Sequence, residues 1–220
     1  MKLLAIDTAT EACSAALLAD GDIRERYEFA PRRHAELILP MVDELLAEAG
    51  LPLTGLDALA FGRGPGAFTG VRIAAGVVQG LAFGADLPVV PVSTLAALAQ
   101  GASDIAPRLL CAIDARMGEV YWCPYEIENG IAVATGEEAV GGPESVALPG
   151  EKTYFGVGSG WLAHGERLRE RFEARIAGCD GERYPRARDM LALARFDYAA
   201  GRMVTAAESA PVYLRDRVTT

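Results

Sequence analysis

The aspartate that ends LLAID, residues 3–7, has a counterpart 107 residues later at the end of LLCAID, residues 109–114. A glutamate follows each, Glu11 in one case and Glu119 in the other, and then an alternating apolar run, ACSAALLAD or VYWCPYEI. A repeat of half the chain is too long for a solenoid unit. It predicts an α/β protein made of two duplicated βββαβα lobes, with a cleft between the copies.

The first copy is well punctuated. Residues 2–8 and 12–19 read as strands, and Asp20-Gly21 as the turn into a third at 23–29. Leu37, Ile38, Met41, Val42, Leu45, Leu46 and Ala49 recur at three and four residues, which predicts an amphipathic helix stopped by Gly50. Pro40 is expected to kink that helix or to mark its first turn. A strand at 58–62, a helix at 69–85, a strand at 88–92 and a helix at 93–100 complete the copy. In the second copy, residues 130–150 read as loop, 152–157 as a strand, and 162–175 and 186–201 as helices.

Charge limits the partners. The formal net charge is −9, and residues 1–150 carry 9 basic against 20 acidic side chains. An acidic body does not grip a nucleic acid backbone by itself, because phosphate neutralisation needs clustered Lys and Arg. The arginines at 167, 169, 171 and 175 are interleaved with Glu166, Glu170 and Glu173 and read as a salt-bridged surface. Four cysteines without a CxxC pair, and only two histidines, predict reduced thiols and no zinc site. The first residues reach Asp7 too soon for a signal peptide, and the apolar stretch 70–92 is interrupted by Arg72, Gln79, Asp86 and Pro88, which argues against a membrane span.

Four segments carry candidate chemistry. Asp7-Thr8-Ala9-Thr10 ends the first strand with a carboxylate and two hydroxyls, groups that can hold phosphate or a metal-bound water. GRGPGAFTGVR, residues 62–72, sets three glycines before a helix, where converging amides receive an anion or where the turn is simply packed closely. It lacks the spacing and the lysine of a Walker A loop. Gly76, Gly80 and Gly84 fall four apart on the next helix and predict the close approach of another backbone, the chain's own sheet or a second subunit. Gly156-Val157-Gly158-Ser159-Gly160 resembles a nucleotide-contacting turn more than a hydrolase elbow, since Trp161 stands where the last glycine of G-x-S-x-G belongs. His34 and His164 read as structural, with no nucleophile or orienting carboxylate placed by motif.

Together IDTATEACSAAL (6–17), GRGPGAFTGVRIAAG (62–76), PVVPVSTLAALA (88–99), IDARMGEVYWCPYE (113–126) and PVYLRD (211–216) are similar to the bacterial TsaB proteins, also called YeaZ. The resemblance implies an actin-like, Hsp70-like ATPase (ASKHA) fold, with an N-terminal lobe at 1–103 and a reduced C-terminal lobe at 104–220. It implies work in the cytoplasm on threonylcarbamoyl-adenosine, the base next to the anticodon of tRNAs that read codons starting with A. The partners it implies are the catalytic relative TsaD, the ATPase TsaE and a second copy of the chain, with tRNA met only indirectly and no membrane.

In TsaD a histidine pair, HxxxH, binds the metal, and Thr94 and Leu98 stand at the matching positions here. The resemblance therefore implies no metal and no transferase activity alone. It makes Asp7, Thr8, Asp114, Gly156 and Gly158 remnants of a nucleotide cleft, with no cofactor required and ATP or ADP at that cleft or at the complex interface. It places the partner surface on the helices at 37–49 and 70–85, through Leu37, Met41, Leu45, Arg72, Gly76 and Gly80. The rival readings are an actin-like nucleotide hydrolase, a peptidase in keeping with the old glycoprotease label of the wider family, and a purely structural homodimer. The peptidase has neither HExxH nor a triad behind it.

Overall fold

A computed structural model describes residues 1–215; Asp216, the last residue of PVYLRD, lies outside the described residues. The first sheet holds β1 (Leu3–Asp7), β2 (Ala12–Ala19), β3 (Asp22–Phe29), β4 (Ala58–Gly62) and β5 (Val89–Val92) in the order β3-β2-β1-β4-β5. β1, β2 and β3 form an antiparallel meander, while β1, β4 and β5 run parallel. Every residue of β1, β2 and β4 is buried. Such strands are covered on both faces. α1 (His34–Ala49) and α2 (Phe68–Ala85) cover one face, with Ile38, Val42, Leu45, Ala74 and Val78 meeting Leu4, Ile6 and Phe61.

The second sheet repeats the plan. β6 (Arg108–Arg116), β7 (Glu119–Glu128), β8 (Ile131–Ala134), β10 (Tyr154–Val157) and β11 (Ile176–Asp180) lie in the order β11-β10-β6-β7-β8, and β9 (Ala139–Gly141) pairs with β7. The parallel and antiparallel pairings match those of the first sheet strand for strand. The mixed α/β, actin-like plan of two duplicated lobes is therefore present. The second copy departs from it at one place, where β9 and a short 3-10 turn at Pro143–Ser145 stand in for the helix after the meander. α4 (Ser159–Phe172) covers the outer face of this sheet.

The last helix of each copy packs against the other sheet. α3 (Thr94–Gln100) sets Leu95 and Leu98 against Leu109, Cys111 and Ile113, while α5 (Ala187–Ala199) sets Met190, Leu191 and Ala194 against Leu3, Ala5, Ala60 and Val90. Two clasps join the copies as well. Arg63 donates two parallel hydrogen bonds of 3.1 Å to Glu138, and Arg116 reaches Glu11 at 2.6 Å.

Several expectations are corrected. Residues 130–150 hold β8 and β9, and β11 follows a helix that ends at Phe172. α1 starts at His34 and continues through Pro40, which marks neither its start nor its end. α2 is long and apolar enough, by length and composition, to cross a membrane, yet Val71, Ala74, Ala75, Val78 and Ala82 pack into the core.

Candidate functional site

The DTAT turn holds its polar groups inside the fold. Asp7 and Thr8 are fully buried. Asp7 Oδ1 accepts the amide of Ala9 at 3.1 Å, and the Thr8 hydroxyl donates to the Gly70 carbonyl at 2.7 Å. What fills the space in front of the turn is the glycine loop itself. A Cβ on Gly66 would lie 2.3 Å from the Ala9 carbonyl oxygen, and one on Gly70 2.0 Å from that of Thr8. The Ala67 amide, which the sequence offered to an anion, donates to Ala9 O at 2.7 Å. The backbone of residues 66–70 thus packs directly against the Asp7–Thr8 turn and closes the space in front of it.

Asp7 is left with one oxygen unpaired. Neither its Oδ2 nor the Thr94 hydroxyl has a hydrogen-bond partner, and both point at Gly62, where a Cβ would lie 1.9 Å from the first and 3.5 Å from the second. Burial pushes the Asp7 carboxyl up from 3.8 to about 7, against the smaller opposing effect of the Ala9 hydrogen bond.

The glycines of the second copy also answer to packing. A Cβ on Gly156 would strike the Trp161 ring at 2.3 Å, and Trp161 donates its indole N–H to the Leu110 carbonyl at 3.0 Å. Gly158, at φ +104°, lies against the Ala112 carbonyl and Leu98, and a Cβ would meet both at 2.5 Å. These close approaches give each glycine a packing reason.

Asp114 alone of the five candidates lines the cleft. There Thr10 and Glu11 face Asp114 and Arg116 across a cavity of about 600 Å³, with Phe68 on one wall and Tyr213 on another. Asp114 accepts the Arg116 amide and pairs with its guanidinium, both at 2.9 Å, and Arg116 bridges on to Glu11. Sequence reasoning missed that His164 Nε2 stands 3.8 Å from Asp114 Oδ1, because the contact joins a helix to a strand 50 residues earlier. Ser159 does not complete a triad, for its hydroxyl accepts the Asp114 amide at 3.1 Å. Among the described residues no three His, Cys, Asp or Glu side chains converge as a metal-binding set.

The outward face of α2 is the other feature. Gly76, Gly80 and Gly84 are exposed, and a Cβ on any of them would meet nothing within 4 Å. The chain's own sheet therefore does not account for them. Phe83 beside them is 85% exposed, on a helix whose other side is core. Arg72 lies on the same face, its guanidinium carbon 3.1 Å from the Phe68 ring centroid and 5.0 Å from that of Tyr213.

α1 contributes less than expected. Leu45 is fully buried and Met41 is 8% exposed, both inside the first core cluster, which corrects their reading as surface anchors. Leu37 is partly buried against the same cluster. The side that α1 turns to solvent bears Glu36, Leu39, Pro40, Asp43, Glu44 and Glu48.

Comparison with known proteins places this geometry. A family model described as "TsaD: tRNA N6-adenosine threonylcarbamoyltransferase" matches residues 27–155. The chain is 49% identical to the tRNA threonylcarbamoyladenosine biosynthesis protein TsaB of Escherichia coli, over 99% of this chain and 96% of that one. It is 45% identical to the protein of the same name from Haemophilus influenzae, over 100% and 95%. The solved structure of YeaZ from Pseudomonas aeruginosa is similar at a TM-score of 0.91 and 52% identity, covering 97% of this chain and 99% of its own.

Proposed function

The chain belongs to the TsaB family of tRNA threonylcarbamoyladenosine biosynthesis proteins, and we propose that it is a non-catalytic partner subunit there. It docks on a TsaD-type catalytic subunit and, with a TsaE-type ATPase, supports transfer of a threonylcarbamoyl group to the adenosine beside the anticodon. It works in the cytoplasm and reaches tRNA through its partner, as its net charge of −9 favours.

The observation that carries this reading is the α2 face. Glycine in a helix interior is about 1 kcal/mol worse than alanine, and none of the described residues needs the room left at Gly76, Gly80 and Gly84. A helix of another chain does. Glycine permits a close crossing, and Val77 and Phe83 beside it supply apolar contact. The non-catalytic half of the proposal rests on α3: Thr94 is fully buried and Leu98 is packed in the core, so neither offers an imidazole to a metal. No cofactor of its own is needed for this role, and ATP or ADP would meet the chain at the cleft or at the joint between subunits.

The test is threonylcarbamoyl transfer to tRNA from labelled threonine, bicarbonate and ATP, with the synthase of the activated intermediate, TsaD and TsaE present. Product is expected only when this chain is added, and none when it replaces TsaD. Equal product without it overturns the partner role. In a binding titration Gly80→Arg is expected to weaken TsaD affinity about 30-fold, the weight of one interface hot spot, without lowering the melting temperature.

A further inference from the structure

Arg72 is an exposed guanidinium that makes neither an ion pair nor a hydrogen bond with any described residue. Arg32 and Arg195 share that condition, but neither lies over an aromatic ring among the described residues. Arg72 lies over the ring of Phe68 on its own helix, 3.1 Å from its centroid, with the ring of Tyr213, on the segment that follows α5, beside it at 5.0 Å; the ring centroids are 5.9 Å apart. That segment is fixed on both sides of Tyr213. Gln79 donates to the Ser209 carbonyl at 2.9 Å, Val212 N donates to Arg63 O at 2.8 Å, and Arg215 pairs with Glu119. A guanidinium lying over one ring keeps its N–H donors at its edge, in the fork that fits a carboxylate. Its rotamer freedom is restricted before anything binds, which lowers the cost of binding. α2 also begins at Phe68 without a side-chain cap, so the positive end of its dipole faces the same region.

We propose that the Phe68–Arg72–Tyr213 stack is a carboxylate-receiving anchor, and that the protein docked on α2 presents an Asp or Glu side chain to Arg72. This rests on the partner reading above and deepens it, for it extends the partner face from the helices onto residue 213 and assigns the partner a charge. A phosphate would also fit the fork. The surroundings favour a carboxylate carried by a protein: Ile73, Val77, Gly76 and Gly80 continue the face with apolar and small residues that suit a packed helix, and the net charge of −9 opposes the approach of a nucleic acid backbone.

The experiment measures the affinity of a purified TsaD-type subunit for the full chain and for Arg72→Ala, Arg72→Lys, Tyr213→Ala and Gly80→Arg, at low and high salt, with a thermal melt of each. Arg72→Ala is expected to weaken binding about 10-fold and to flatten its salt dependence. Arg72→Lys is expected to stay weaker than wild type, since an ammonium keeps the charge but not the fork. Tyr213→Ala is expected to weaken binding with the melt unchanged. If Gly80→Arg weakens binding while Arg72→Ala matches wild type, the anchor is overturned and the partner reading stands. If Gly80→Arg leaves affinity unchanged, the partner reading itself falls and takes the anchor with it. If Arg72→Ala lowers retention of tRNA by the complex but not affinity for the subunit, the occupant is a phosphate and the carboxylate proposal is overturned.

Discussion

Gly70→Ala is expected to cost the fold about 3 kcal/mol, while Gly76→Ala on the same helix is expected to raise stability by about 1 kcal/mol. The difference is in what each new methyl meets. At Gly70 it would stand 2.0 Å from the Thr8 carbonyl oxygen, a buried backbone atom just after β1 that cannot turn away as a side chain can. The Thr8 hydroxyl is bonded to the Gly70 carbonyl at 2.7 Å, so pushing α2 outward also leaves a buried hydroxyl unpaired. At Gly76 the methyl would meet nothing within 4 Å, and the gain is the usual one for ordering a helix from alanine instead of glycine. Denaturant midpoints at an unchanged slope would read both. A Gly70→Ala variant as stable as wild type would mean that the close approach is relaxed in solution. A stabilised Gly76→Ala variant that also binds TsaD less well would show that the glycine is kept for the partner at the expense of the fold.

The same contrast shows what was legible in the sequence. The meander, the β4 boundaries and the duplication were, because each is written in local alternation and turn residues. Gly50 and the Asp20-Gly21 turn could be placed for the same reason, and both glycines sit at positive φ, +63° and +92°. What escaped was long-range. Met41 and Leu45 belong to the one apolar stripe of α1, with Ile38 and Val42, and the sheet takes that stripe, so the periodicity alone cannot say whether core or partner covers it. The turn at Asp7 showed the residue types of a phosphate site, and the loop that fills it comes from 62 residues further on. β8, β9 and β11 are short strands whose pairing with β7 and β10 has no local signature strong enough to see. Tyr213 gained its place beside Arg72 only through the path of the segment after α5.

This filling of the turn closes the space in front of Asp7 and Thr8. A phosphate-binding turn must leave amides and hydroxyls facing a void. Here the Ala9 carbonyl, the Ala67 amide, the Thr8 hydroxyl and the Gly70 carbonyl pair with one another across the void. The cleft that remains lies further out, and Arg116 bridges it between Glu11 and Asp114. Arg63 and Glu138 clasp the same two copies elsewhere. The lobes are thus joined by fixed contacts, and the face that stays unsatisfied is outward, on α2.

Asp7→Asn is expected to change how stability depends on pH between about pH 4 and pH 7. Burial raises the carboxyl from 3.8 to about 7 in the fold, whereas in the unfolded chain it returns to its ordinary value. The protonated form is therefore the one the fold prefers. Its contribution is complete below about pH 3.8, declines as pH rises toward 7, and is lost above that. Three units correspond to about 4 kcal/mol. Asparagine keeps an oxygen for the Ala9 amide and carries no charge to bury, so the variant should match wild type near pH 4 and exceed it by up to about 4 kcal/mol above pH 7. Gly62→Ala presses on the same corner from the other side, with a methyl 1.9 Å from Asp7 Oδ2, and supplies a destabilised control with the carboxyl intact. Denaturant unfolding from pH 4 to pH 9 would decide the matter. Parallel curves for wild type and Asp7→Asn would mean that Asp7 is ionised at its ordinary pKa in the fold, paired with a group or a water that the protein side chains do not supply.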